Sequence, residues 1–400
     1  MPRNRAIVLL SAGHACVDVY QGAVAALVPF FVAERAYTYA AASGVVLAAS
    51  LLSSVTQPLF GALTDRWTMP WLLPASTLLG GLGIALSGLA GSYALTLAAV
   101  AVSGIGVAAY HPESARIARR AAGGGHGAMG WFSLGGNLGF AAAPVLVTAV
   151  VATGGLRLSP LLAVPALAGA VLCLPVLRAP ERTASPGSGA AAPAGTDDRV
   201  SMVKLSLAVV CRSVAFVGLS TFLSFHVPQQ TTGGTAAGTA ALFVLYLGGA
   251  AGTVLGSRLA GRWPRVRVAR VAYPLTAAAV AGVVFVPGPA IHLFVALASI
   301  GLYVPFSLQV TLAQDYLPRH LGTASGIVLG LAVSAGGLAG PLIGHLADVT
   351  SLRTALIPLI LMPVLSWLLF RTLPEPAVPG RPKAPTTAPA APAAVPGRPV

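Results

Sequence analysis

From Ala6 to Thr372 the chain is one apolar run after another, each about as long as a bilayer is thick. A helix needs about 20 apolar residues to cross the hydrocarbon core. Runs of that kind fall at 6–32, 40–63, 70–90, 93–113, 128–152, 158–178, 204–227, 238–261, 267–287, 289–312, 323–345 and 352–372. Inside a bilayer only helices and closed barrels satisfy their own backbone polar groups. The sequence therefore predicts an all-α polytopic membrane protein with twelve transmembrane helices. Only 8% of the 400 residues are charged, against about 25% in soluble proteins, so a soluble fold of this size would lack a solvated surface. The first run is too long for the core of a signal peptide and contains Asp18, so it reads as a retained helix.

The charges test this topology. With the N-terminus in the cytoplasm, Arg35, Arg157 and Arg353 fall in outward loops and Arg212 inside a run. All the other Lys and Arg, from Arg3 to Arg398, fall on inward segments. That bias puts both termini in the cytoplasm. It also accounts for the net charge of +14 without a nucleic-acid partner. Cys16, Cys173 and Cys211 sit in apolar runs and show no paired ligand spacing, so neither a disulfide framework nor a zinc site is indicated. The Gly123–Gly125 run lacks the Gly-Lys-Ser/Thr ending of a phosphate-binding loop, so a gradient must supply the energy.

Two segments are not membrane. Residues 179–203, rich in Ala, Gly, Pro and Ser, read as a flexible cytoplasmic linker. Residues 374–400, nearly one-third Pro, read as a disordered tail. The remaining parts, 1–178 and 204–373, are two six-helix bundles that repeat weakly. Leu63, Arg66 and Trp67 recur as Leu259, Arg262 and Trp263, Gly104 as Gly301, and Pro144 as Pro341. Repeats in the same orientation imply an axis along the membrane normal, a site between the bundles near the midplane, and alternating access by rocking.

An acid at mid-membrane costs about 2.5–3.5 kcal/mol on insertion scales, so one that is retained marks function. Asp18 is the acid placed deepest in any run. At 100° per residue His14, Asp18 and Gln21 lie within about 60° on one helix face. Asp18 is the candidate proton carrier, with His14 at i, i+4 as relay or tuner. The alternatives are a structural Asp with a fixed partner and a packing histidine.

His111-Pro112-Glu113 lies near the cytoplasmic end of the fourth helix, where Pro112 removes a backbone hydrogen bond. His111 and Glu113 are candidate substrate contacts, Glu113 having the alternative of an interfacial position beside Arg116. Arg212 has three readings: it snorkels to the headgroups, pairs with an acid of the first half, or binds an anion with its fork. Gln21, Asn137, Tyr246, Tyr303, Ser307 and Gln309 are the other polar groups at depth, as substrate contacts or interhelical hydrogen bonds. Asp65 and Arg66 end the second helix, where an acid–base pair latches one state or serves only topology. His345 and Asp348, at i, i+3 near the outer end of the eleventh helix, read as a solvated pair rather than a metal site. No metal and no cofactor is expected.

These stretches resemble the major facilitator superfamily. Gly61-Ala-Leu63-Thr-Asp65-Arg66 is similar to that superfamily's signature between helices 2 and 3, with Thr68, Met69 and Pro70 replacing its downstream Gly and basic residues. Gly336-x-x-x-Gly340-Pro341-x-x-Gly344 is similar to its glycine-rich antiporter motif, carried here in the eleventh helix. Within the superfamily the likeness is to the fosmidomycin resistance branch. It rests on Gly13-His14 with Asp18 and Gln21, Ser54-Val-Thr-Gln57-Pro58-Leu-Phe-Gly61, and Gly104-Ile-Gly-Val-Ala-Ala-Tyr110-His111-Pro112-Glu113. Phe132-Ser-Leu-Gly-Gly-Asn137-Leu-Gly-Phe140, Ala313-Gln-Asp315-Tyr-Leu-Pro318 and Gly322-Thr-Ala-Ser-Gly326 complete the set.

The resemblance implies a proton-driven antiporter in a bacterial cytoplasmic membrane. It would act as a monomer and export small drug-like molecules, phosphonates such as fosmidomycin among them. Two other readings remain open. One is uptake of a sugar or organic anion on the same fold; the other is a membrane metalloenzyme built on His14, Asp18, His111 and Glu113.

Overall fold

The apolar runs close their backbone hydrogen bonds within helices, and the breaks between them carry the turn residues. The computed structural model describes residues 3–122, 126–177 and 196–376. The side chains of residues 3–4, Asp65, 122–130, Leu321, Gly322 and Ser325 lie outside that description. The helices are α1 (Arg3–Arg35), α2 (Tyr39–Arg66), α3 (Leu72–Ser87), α4 (Tyr93–Ala122), α5 (His126–Gly154), α6 (Leu156–Leu177), α7 (Arg199–Gln230), α8 (Gly234–Ala260), α9 (Arg265–Phe285), α10 (Ile291–Tyr316), α11 (Leu321–Val349) and α12 (Leu352–Arg371). Eleven are long and apolar enough to cross a membrane, and α3, at 16 residues, is the short one. Among the described residues there is no strand.

Helices α1–α6 pack among themselves and α7–α12 likewise. The bundles meet chiefly through α2 against α11 and α5 against α8. The repeat is visible in the backbone: the Trp67 N–H donates to Leu63 O (2.9 Å), and the Trp263 N–H donates to Leu259 O (2.8 Å).

Three elements depart from the sequence reading. Helix α7 begins at Arg199, inside the expected linker, because Asp198 caps it by accepting the Ser201 N–H (3.0 Å). Hydrogen bonds from Ser201 hold the Asp198 carboxyl below the usual range. Helix α10 is broken at Val304–Pro305, since Pro305 has no N–H to continue the ladder, and it resumes at Phe306. The first residues of the expected tail are docked. The Glu375 carboxylate accepts the N–H groups of Arg265 (3.0 Å) and Val266 (2.7 Å), capping α9, while the Tyr316 hydroxyl donates to Pro374 O (2.6 Å). The rest of the expected linker, 179–195, and of the tail, 377–400, lies outside the described residues.

The two ends of the bundle interface differ. At the end away from the termini, Asp348 of α11 accepts the N–H groups of Tyr39 (2.8 Å) and Ala40 (3.0 Å) at the start of α2. A Cβ on Gly344 would stand 2.6 Å from Tyr39 O. Thr148 of α5 and Thr239 of α8 share a hydrogen bond (2.8 Å). At the end bearing the termini, a Cβ on Gly61 of α2 or on Gly326 or Gly330 of α11 would meet nothing within 4 Å. The bundles thus touch at one end, while at the other α2 and α11 leave open space beside Gly61, Gly326 and Gly330.

Candidate functional site

Glycines set the site by letting α5 lie directly on α1. A Cβ at Gly135 would fall 2.2 Å from Ser11 O, and one at Gly139 would fall 2.0 Å from Ala15 O. Small residues one turn apart allow this approach in membranes. The contact brings the Phe132 ring onto His14 (centroids 4.3 Å apart), with the Phe132 carbonyl 2.9 Å from His14 Nδ1. Gly136, on the same face, leaves room for the Asp18 carboxylate, since a Cβ there would be 2.5 Å from Asp18 Oδ2. Helix α4 supplies His111, whose Nδ1 lies 2.7 Å from Val107 O.

Both imidazoles then converge on one carboxylate. His14 Nε2 is 3.2 Å from Asp18 Oδ2, and His111 Nε2 is 3.1 Å from Asp18 Oδ1. The donor atoms of the three residues lie within 4.8 Å of one another. A carbonyl oxygen only accepts, so each Nδ1 carries a hydrogen. The Nε2 of a neutral ring is then a lone pair facing an ionised carboxylate. Each contact becomes attractive only when a proton stands between the two atoms. His14 is 7% exposed, and Tyr110 covers its other face with centroids 6.1 Å apart. His111 is the more open, with a side chain 25% exposed.

Beside this cluster, toward the centre of the interface, lies a small cavity. Both bundles line it, with Gln21, Ser53 and Phe140 from the first and Phe216, Ser220 and Tyr246 from the second. Tyr246 stacks on Phe140 across the interface with centroids 4.1 Å apart. The lining is mostly apolar, as small-molecule sites are.

The other residues singled out from sequence fall elsewhere. His111 joins Asp18 rather than the cavity wall. Glu113 is fully buried and gripped by Arg116, which donates from Nε (2.7 Å) and Nη2, so it does not face the cavity. Such i, i+3 pairs form readily on one helix face. Gln309 is fully buried inside the second bundle and donates to the Tyr273 hydroxyl (2.8 Å). Asn137 is half-buried and is not among the cavity-lining residues. Tyr303 meets Phe216 edge-on at 5.1 Å, and Arg212 lies behind it. Arg66 is exposed, and the Asp65 side chain lies outside the described residues. His345 is exposed and Asp348 caps α2, so they do not form the expected solvated pair. Sequence reasoning missed Gly136 and the Asp348 cap; neither carries a signal until its partner helix is in place.

A sequence profile for the Major Facilitator Superfamily matches residues 10–341. The chain is 28% identical over 358 residues to the fosmidomycin resistance protein of Escherichia coli (strain K12), covering 86% of each chain. It is 28% identical over 376 residues to an uncharacterised transporter of the same superfamily, YfnC of Bacillus subtilis (strain 168), covering 91% of each. Among solved structures it is similar to a bacterial homologue of the human lysosomal transporter Spinster in an inward-facing, unoccupied conformation. That likeness has a TM-score of 0.76 at 16% identity and covers 93% of this chain and 97% of the other. The nucleoside transporter NupG gives a TM-score of 0.75 at 10% identity, over 92% and 99% of the two chains. At these identities the solved structures speak for the fold alone.

Proposed function

The chain belongs to the major facilitator superfamily, and from that premise we propose that it is a proton-coupled antiporter exporting small drug-like molecules from a bacterial cell. The observation that carries the coupling is the convergence of His14 Nε2 and His111 Nε2 on the Asp18 carboxylate, at 3.2 and 3.1 Å. Three groups that hold together through shared protons, beside a cavity lined by both bundles, form a proton-binding site within reach of cargo. Both termini lie in the cytoplasm on this reading, so the open end faces inward, ready to load substrate. Protons entering from outside reload Asp18 when substrate leaves, and Asp18 releases them inward when the next molecule binds. The export direction and the drug-like cargo follow the likeness to the fosmidomycin resistance protein, and fosmidomycin is the first compound to test. The protein acts as a monomer on this reading.

The test is Asp18→Asn, which keeps the shape and removes the exchangeable proton. Membrane insertion should be normal. Gradient-driven export from an exporter-deficient host, and substrate-induced proton release in proteoliposomes, should both fall to background. Wild-type export by that variant would remove Asp18 from the coupling role. Accumulation of labelled compound in cells, instead of exclusion, would turn the direction to uptake.

A further inference from the structure

Arg212 stands about 20 Å along α7 from Arg199 at 1.5 Å per residue. It is 2% exposed, so it does not snorkel. Among the described residues no carboxylate lies within ion-pairing distance, and its Nε has no hydrogen-bond partner. Its guanidinium lies over the rings of Phe306 (4.7 Å) and Tyr303 (5.8 Å). A buried cation without a counter-charge is strongly unfavourable, and aromatic faces offset only part of that.

The break in α10 adds a second source of positive potential at the same place. Phe306, under the guanidinium, is the first residue of an 11-residue half-helix running to Tyr316. The first N–H groups of a helix lack intrahelical partners and carry its positive end. Half-helices of this kind in transporters aim that end at anionic substrate groups. Ser307, in the same first turn, has a buried hydroxyl without a partner. Tyr303 then connects the spot to the cavity through Phe216.

We propose that Arg212, with the Phe306 end of the α10 half-helix and the Ser307 hydroxyl, forms a docking point for an anionic headgroup, a phosphonate or carboxylate, on the transported molecule. The fork of Arg212 accepts such a group with paired hydrogen bonds. The apolar body of the molecule lies toward Phe216 and Tyr246. The proposal rests on the transport reading above only for the bound anion being cargo.

Detergent-purified full-length protein is titrated with fosmidomycin, phenylphosphonate and benzoate, each beside its uncharged ester, reading binding by tryptophan fluorescence and thermal shift. At least one anion should bind, with its ester weaker by about tenfold or more, the scale of one lost charge-assisted contact. Arg212→Gln should lose the anion's binding to the same degree, and Arg212→Lys should keep part of it. Equal binding of acid and ester by the wild-type protein overturns the proposal even if a variant fails to fold. So does unaltered anion binding by a folded Arg212→Gln, or binding of none of the three anions. If Arg212-dependent anions accumulate in cells, the export reading falls and this site stands. If only neutral drugs are exported, the site falls and export stands.

Discussion

At Gly136 one added methyl group would stand 2.5 Å from Asp18 Oδ2 and 2.7 Å from His14 Nε2. Overpacking of this kind costs about 1–3 kcal/mol, and here it falls on the contact between Asp18 and His14. Gly136→Ala is therefore expected to insert normally but to transport at least about tenfold more slowly, because tenfold in rate needs only about 1.4 kcal/mol. Asn137→Ala, one residue on and half-buried, should change far less. Uptake or export per unit of membrane-inserted protein checks the pair, and equal effects would count against the proton cluster. Asp18 was legible in the sequence because an acid in an apolar run is costly wherever it sits. Glycine in a membrane helix is common, so Gly136 acquires meaning only when α1 lies on it. His111 was legible as a polar group, and the sequence placed it with Asp18 only in the metalloenzyme reading, because its direct contact with the carboxylate needs α4 laid on α1.

At the scale of helices, the end where the bundles touch depends on one carboxylate and one glycine. Asp348 satisfies two N–H groups at the start of α2, which every helix start leaves open. Gly344 lets α11 come close enough for it to do so, since a Cβ there would stand 2.6 Å from Tyr39 O. The cap exists only while α2 and α11 touch at that end, so it favours this arrangement over its opposite. A side-chain cap is worth about 1 kcal/mol, and Asp348→Ala should move the equilibrium toward an outward opening by about fivefold. The measurement is maleimide labelling from outside of Ser43→Cys, a position fully buried beside Gly340. Labelling should be faster with Asp348→Ala, and an unchanged rate would leave Asp348 a local cap without influence on state. Hydropathy located α11 and α10 but not this cap or the break at Pro305. A hydropathy window averages over the single residues that make both.

Over the whole molecule, twelve helices were legible because length, apolar content and the sorting of basic residues each act along the entire chain. The repeat at Trp67 and Trp263 was legible too, and each tryptophan closes the same backbone turn. Which end is open was not legible, since one sequence must encode both arrangements with little difference in free energy. The structure holds one arrangement, and the other follows if the bundles rock as units. On that view the contact between Thr148 of α5 and Thr239 of α8, at 2.8 Å, must break in every cycle. Cysteines at both positions place two sulfurs where two hydroxyls touch, close enough for the 2.05 Å bond of a disulfide. Oxidation of the Thr148→Cys, Thr239→Cys protein should then stop transport, and reduction should restore it, while either single variant continues under both conditions. The native Cys16, Cys173 and Cys211 are buried or half-buried and serve as the control background. Continued transport by protein shown to be fully cross-linked would mean that this end does not open, and rocking about the central cavity would have to give way to another route.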